Sequence, residues 1–264
     1  MKFWKYQGAG NDFVMLDQRK HQWFTRQDTD KIARLCDRRF GVGADGLILL
    51  QNMLGYDFEM IYFNADGRES TMCGNGGRCI AAFAKHLGIV GDSCRFWAID
   101  GEHKAQINSA KAWVELKMSD VQKVEQQENI FVLNTGSPHY VRFENTLEKL
   151  DMVQEGRAVR YSERFKNEGI NVNLVTQNAD GNLAIRTYER GVEDETLACG
   201  TGVTAAAIAS FLHRGQASGQ ADIQVKARGG DLAVRFRANG GGSFSDIWLC
   251  GPAQLVFEGE ISGF

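Results

Sequence analysis

Two cysteines of this chain stand in nearly the same company. In "TMCGNGGRC" Cys73 precedes a Gly-x-Gly, and in "LACGTGVTA" Cys199 does the same. Each glycine turn leads into a run with helical character, so each thiol is expected near a helix N-terminus. There the helix dipole and the first-turn N–H groups attract anions and lower a thiol pKa from about 8.5 toward neutrality. The glycines let the backbone approach a ligand closely, so Gly74, Asn75, Gly200 and Thr201 are candidate N–H donors to a carboxylate or phosphate. A thiolate and a thiol on opposite faces of one carbon suit a particular reaction. One removes a proton, the other delivers one, and the carbon inverts. The α-hydrogen of an amino acid is only weakly acidic, so such a site also needs donors aimed at the α-carboxylate and exclusion of water.

Other chemistries fit these residues less well. Zinc is disfavoured because the six cysteines form no C-x2-C and the five histidines no H-x3-H. Neither "GAGNDF" nor "GVGADG" is a Walker loop, and no G-x-G-x-x-G stands convincingly between a strand and a helix. Redox dithiols usually lie at C-x-x-C, whereas Cys73 and Cys199 are far apart in sequence. Cys79 is excluded as a catalytic group, since it falls among Ile80, Ala81, Ala82 and Phe83 and suits a buried, inert thiol.

The elements that must position these cysteines are short. "RFGVGADGLILL", "DFEMIYFN", "AWVELKM", "NIFVLN", "GINVNLVT", "NLAIRTYER", "DLAVRFRA" and "DIWLCG" have the partial alternation and β-branched or aromatic content of strands. "RQDTDKIARLCDRRF", "RCIAAFAKHLGI" and "GVTAAAIASFLHRG" read as helices, the last two closing on Gly88 and Gly215 as C-cap signals. The result is an α/β mixture weighted toward strands. Sliding the chain on itself by 126 positions, without a gap, aligns Gly10 with Gly136, Gly43 with Gly169, Tyr62 with Tyr188, Glu69 with Glu195 and Cys73 with Cys199. Identities concentrated at turns and at the cysteine suggest two halves sharing one backbone plan.

A chain of 264 residues is long enough for two such halves. Its 43% hydrophobic and 24% charged content and its net charge of -3 single out no nucleic acid as partner. No apolar run is long enough for a membrane span, and "MKFWKYQGAGNDF" lacks the apolar core of a secretory signal, so a cytoplasmic location with reduced thiols is expected.

Taken together, "GAGNDFVMLD", "GVGADGLILL", "FNADGRESTMCGNGGRC", "GSPHYV", "GINVNLV", "YERGVEDETLACGTG" and "GPAQLVFEGEI" cover nearly the whole chain, in an order that resembles the diaminopimelate epimerase family. The resemblance implies an isomerase that interconverts LL- and meso-diaminopimelate without a cofactor or metal. It implies two pseudo-symmetric domains, each a mostly antiparallel sheet or barrel around a central helix. One would comprise residues 1–120 plus 250–264 and the other 121–249, joined as a homodimer with a second copy. It assigns Cys73 and Cys199 as the acid/base pair, Asn11, Asn64, Asn171, Glu189 and Arg190 as substrate contacts, and Gly74, Asn75, Gly200 and Thr201 as carboxylate donors. His139 and Glu189 would adjust the protonation of the two thiols, each beside one cysteine.

The chemistry agrees, because a substrate with two amino-acid ends needs a fixed cation such as Arg190 for its far carboxylate. Taken singly, the asparagines would also serve as caps of turns or strands, Glu189 and Arg190 as a surface pair, and His139 as a satisfied, partly buried histidine. Two positions depart from the common pattern: Ser137 stands where many members carry asparagine, and Gly46 where some carry glutamine. Alternatives are a proline or hydroxyproline racemase, an amino-acid-binding protein without catalysis, and a thiol redox protein. Arg190 argues against the first, and retention of both cysteines against the second.

Overall fold

The computed structural model describes all 264 residues, which divide into two compact units, Met1–Leu116 with Gly251–Phe264 and Lys117–Cys250. The first unit holds β1 (Lys2–Gly8), β2 (Asn11–Asp17), α1 (Thr29–Cys36), β3 (Gly46–Gln51), β4 (Phe58–Asn64), β5 (Glu69–Ser70), α2 (Gly74–His86), β6 (Ser93–Ala98), β7 (Gly101–Asn108) and β8 (Trp113–Lys117). The second holds β9 (Val124–Gln127), β10 (Ile130–Asn134), β11 (Pro138–Phe143), α3 (Met152–Arg160), β12 (Asn171–Gln177), β13 (Leu183–Glu189), β14 (Asp194–Thr196), α4 (Gly200–His213), β15 (Ser218–Ala227), β16 (Gly230–Gly240) and β17 (Ser243–Pro252). The closing strand β18 (Gln254–Glu260) returns to the first unit and pairs with β1.

Both units follow one plan. In the first, β2 runs parallel to β3 and β4 parallel to β6, while β1–β2, β3–β4, β6–β7 and β7–β8 are antiparallel. In the second, β11 runs parallel to β12 and β13 parallel to β15, while β10–β11, β12–β13, β15–β16 and β16–β17 are antiparallel. The fold is therefore the expected mixed, mostly antiparallel one. A long helix packs on the sheet in each unit, α2 against β1, β2, β3 and β7, and α4 against β11, β12, β13 and β15. Every residue of α4 from Gly202 to Phe211 is buried. A helix apolar on all sides belongs inside a core. Gly88 and Gly215 follow α2 and α4 with φ of 70° and 73°, the left-handed conformation that a C-cap glycine adopts.

The repeat is real, but it is not gap-free. Phe13 pairs with Gly46 in β2–β3, whereas His139 pairs with Asn171 in β11–β12, one residue earlier in the second strand. A one-residue slip moves a strand's side chains to the opposite face. Matching faces therefore sets Phe63 against Tyr188 and not Tyr62 against Tyr188. Phe63 packs with α1 in a core that includes Val14, Leu47 and Leu49. Tyr188 packs with α3 in one that includes Tyr140, Val172 and Leu174. The other face, turned to the central helix, carries Phe13, Ile48 and Tyr62 in the first unit and His139, Asn173 and Thr187 in the second.

Two local expectations change. The glycines after each cysteine form no separate turn; they are the first turn of the helix itself. The helix α3 has no counterpart among the expected elements, and it is started by Asp151, whose side chain accepts from the N–H groups of Val153 and Gln154. No helix of the chain is long and apolar enough to cross a membrane.

The core around α4 includes an aromatic cluster in which Phe211 meets Phe236 and Phe244 edge-on at 5.6 and 6.2 Å. Phe211→Ala should lower the unfolding free energy by about 3–5 kcal/mol through lost burial and the cavity left behind. Urea denaturation checks this. A loss below about 1 kcal/mol would mean that α4 is not anchored by this cluster.

Candidate active site

In the first unit Cys73 is the N-cap of α2. Its Sγ accepts the Gly76 N–H at 3.2 Å and its carbonyl accepts the Gly77 N–H. The N–H groups of Gly74 and Asn75 belong to the first helical turn, where no carbonyl of the helix lies four residues back. Asn75 is buried, and its Oδ1 accepts from Arg78 at 2.9 Å. Its amide faces Asn11 Oδ1 at 3.5 Å. Asn11 opens β2 and donates to Asp45 Oδ2 at 2.5 Å, so Asp45 sets the orientation of its amide. Beside it Asp12 is bound by Arg38 and by the buried Lys5. Burial opposes its ionisation, but the hydrogen bonds from Arg38 and Lys5 outweigh this and hold the carboxyl well below its usual range. Asn64 ends β4, exposed, at a turn closed by the Gly67 N–H on its carbonyl. Cys79 is fully buried, and burial pushes its thiol up to about 12.

In the second unit Cys199 is the N-cap of α4, and its carbonyl accepts the Val203 N–H. The side chain makes no cap bond of the kind Cys73 makes; its Sγ lies 3.4 Å from Thr201 Oγ1. The same hydroxyl lies 2.9 Å from His139 Nε2. His139 is completely buried, and burial, with the positive charge of Arg190, lowers its pKa to about 3. The imidazole is neutral at physiological pH. Its Nδ1 faces the Asn173 amide at 3.1 Å. Glycine at 202 leaves room for the Asn173 amide: a Cβ there would lie 2.4 Å from Asn173 Oδ1, so the amide would have to shift.

The remaining expected contacts gather nearby. Asn171 opens β12, donates to the Pro138 carbonyl and accepts the Arg190 N–H at 2.9 Å. The Arg190 guanidinium is exposed and donates to the Glu168 carbonyl. Glu189 accepts the Thr196 hydroxyl at 3.0 Å. Burial raises its pKa, and the Thr196 bond holds it partly down. Glu189 and Arg190 are thus engaged by different partners. His139 meets the Thr201 hydroxyl that lies beside Cys199 Sγ, and Glu189 belongs to the same unit, so neither stands in the unit that carries Cys73. At Gly46 a Cβ would lie 2.4 Å from the Phe63 carbonyl oxygen, so no side chain fits there without a shift. Asp45, Asn173, Thr187 and the Thr201 hydroxyl were not among the expected functional side chains. A polar residue inside the apolar run "GINVNLVT" is the signal that points to Asn173.

Solved structures with this fold include a phenazine biosynthesis protein of the PhzF family from Bacillus anthracis, with TM-score 0.74 at 13% identity, covering 99% of this chain and 98% of that one. Another is a hydroxyproline epimerase from Agrobacterium vitis, with TM-score 0.68 at 15% identity, covering 98% and 91%. At such identities the likeness shows the fold alone. The sequence is more specific. The family model described as diaminopimelate epimerase matches residues 3–124 and 131–256. The diaminopimelate epimerase of Flavobacterium psychrophilum is 50% identical, covering 99% of this chain and all of the relative. That of Aquifex aeolicus is 40% identical, covering 99% and 98%. The chain belongs to the diaminopimelate epimerase family and is an isomerase.

Thr196→Val removes the donor to Glu189 and leaves burial unopposed, so the Glu189 carboxyl should titrate higher than in the parent. A carbon-detected NMR titration of the glutamate carboxyls reads this directly, and an unchanged or lower value would contradict it.

Proposed function

We propose that the protein interconverts LL- and meso-diaminopimelate by a cofactor-free two-base reaction, with Cys73 and Cys199 as the acid/base groups. The observation that carries the reading is that both cysteines are N-caps of central helices, each with a Gly-x-Gly first turn. One thiolate takes the α-proton while the other thiol delivers a proton to the opposite face; in the reverse direction the roles exchange. The α-carboxylate is held by the N–H groups of Gly74, Asn75, Gly200 and Thr201, whose dipoles stabilise the charge that develops as the proton leaves. Asn11, Asn64 and Asn171 contribute amides that donate to carboxylate or accept from ammonium. Arg190 provides the fixed cation for the far carboxylate, which proline lacks. Glu189 accepts from the substrate ammonium.

His139, buried and neutral, acts on a thiol through hydrogen bonding and not through charge. Glu189, whose pKa burial raises, holds a proton more readily than an ordinary carboxylate. The product serves lysine and cell-wall precursor synthesis, the setting is the cytoplasm and the assembly a homodimer, as the family resemblance implies.

Cys73→Ala and Cys199→Ala should each reduce epimerisation of LL-diaminopimelate by at least about a thousandfold while keeping the circular dichroism spectrum of the folded protein, as expected when one member of a catalytic pair is removed; Cys73→Ala also loses its helix cap, which costs about 0.5–2 kcal/mol of stability. Near-parental turnover by either variant would eliminate that cysteine as a base. Racemisation of proline in preference to diaminopimelate by the parent would overturn the substrate assignment.

A further inference from the structure

The two central helices begin alike, but the strands beneath them do not. Facing α2 are Phe13, Ile48 and Tyr62, with the rings of Phe13 and Tyr62 in edge contact at 5.9 Å. At the matching places facing α4 are His139, Asn173 and Thr187, all buried, with His139 and Asn173 fully so. The fold can be built with a largely apolar trio at these places, because the first unit builds it. Burying an imidazole, an amide and a hydroxyl costs free energy unless each is hydrogen-bonded, so the polar trio calls for a reason beyond packing.

The hydrogen bonds among the three have only one consistent direction. The Tyr140 carbonyl can only accept, and it lies 3.0 Å from Asn173 Nδ2, which fixes that atom as the amide nitrogen. The Asn173 Oδ1 accepts the Thr187 hydroxyl at 3.0 Å, which agrees. The second N–H of Asn173 then points to His139 Nδ1 at 3.1 Å, which must be a bare acceptor. A proton on Nδ1 would set two donors against each other. The imidazole proton therefore sits on Nε2 and is donated to Thr201 Oγ1 at 2.9 Å. With its lone pair so engaged, the Thr201 hydroxyl has its own proton to give, and Cys199 Sγ lies 3.4 Å away.

We infer that Asn173 is a positioning residue: with Thr187 it fixes the Nε2–H tautomer of His139, and this turns the Thr201 hydroxyl into a donor to the Cys199 thiolate. The inference rests on the reading of Cys199 as an acid/base group. A donor held toward sulfur stabilises thiolate over thiol. Cys73 has a backbone donor, the Gly76 N–H, so the two sulfurs are met by donors of different kinds.

The test begins without substrate. In full-length protein labelled with 15N-histidine, a long-range proton–nitrogen correlation spectrum identifies which imidazole nitrogen bears the proton. The His139 signals are assigned by their loss in His139→Gln. The expected pattern is Nε2–H between pH 6 and 8. Nδ1–H or a doubly protonated ring would overturn the inference, whatever the protein's activity. Asn173→Asp replaces the donor with an acceptor and should invert the tautomer to Nδ1–H; an unchanged tautomer would overturn the role of Asn173.

Thr201→Val removes the hydroxyl but keeps the backbone N–H, and should lower kcat for diaminopimelate about tenfold or more, as loss of a hydrogen bond to a charged group does. KM should change less than about twofold, because ground-state binding is untouched. Thr201→Ser should restore kcat to within about threefold of the parent. Full turnover by the valine variant, or failure of serine to rescue, would overturn the part given to the hydroxyl. Absence of epimerase activity in the parent would instead strike at the proposed function and leave the tautomer result standing.

Discussion

Burying a helix inside a sheet leaves its end as the place where backbone polarity is exposed. The flanks of α4 are apolar and covered, and α2 is buried from Gly74 through Ala81. Along their length every N–H finds its carbonyl, but the first turn has donors to spare and the dipole concentrates positive potential there. Whatever residue stands at the N-cap inherits that field. In both units it is a cysteine. Gly202 belongs to the same arrangement, since a side chain there would displace the buried Asn173 amide. Cap, close approach and donors are consequences of one packing arrangement.

From this common beginning the two units diverge where chemistry needs asymmetry. A two-base inversion requires one sulfur charged and the other protonated, with both able to exchange roles. Cys73 is held by the N–H of its own helix, whereas Cys199 meets a side-chain hydroxyl that is tied to a buried imidazole and an amide. The first device is rigid backbone. The second is a chain of side chains whose proton positions are set by mutual satisfaction, anchored at the Tyr140 carbonyl. A divergence of this kind costs the second unit part of its apolar core, and it occurs only on the face turned to the central helix. The opposite face, against α3, keeps Val172, Leu174 and Tyr188.

Much of this was legible in the residues. The paired Cys-Gly-x-Gly stretches located both helix starts, the strand-like runs all became strands, and Gly88 and Gly215 marked helix ends. The glycines themselves were misleading, because Gly disfavours helix interiors and reads as a turn, while here tertiary packing overrides that preference at an N-terminus. The helix α3 was hidden because only Met152 and Gly156 of it are buried, too little to produce a periodic apolar signal. The one-residue slip between the halves was hidden by an alignment anchored on common glycines. Strand faces decide it, and faces are known only once partners are. The polar trio was invisible for a related reason. His139, Asn173 and Thr187 come from three strands, and the role of each is defined by the others.

The central claim is that two groups, not one, handle the proton. Incubating the protein with LL-diaminopimelate in deuterium oxide and following both isomers at early times tests it most directly. The account predicts that meso product carries deuterium at the inverted carbon from the first turnover, while recovered LL substrate is still largely protonated. Product that retains the original proton, or substrate that exchanges as fast as product forms, would point to a single base and contradict it.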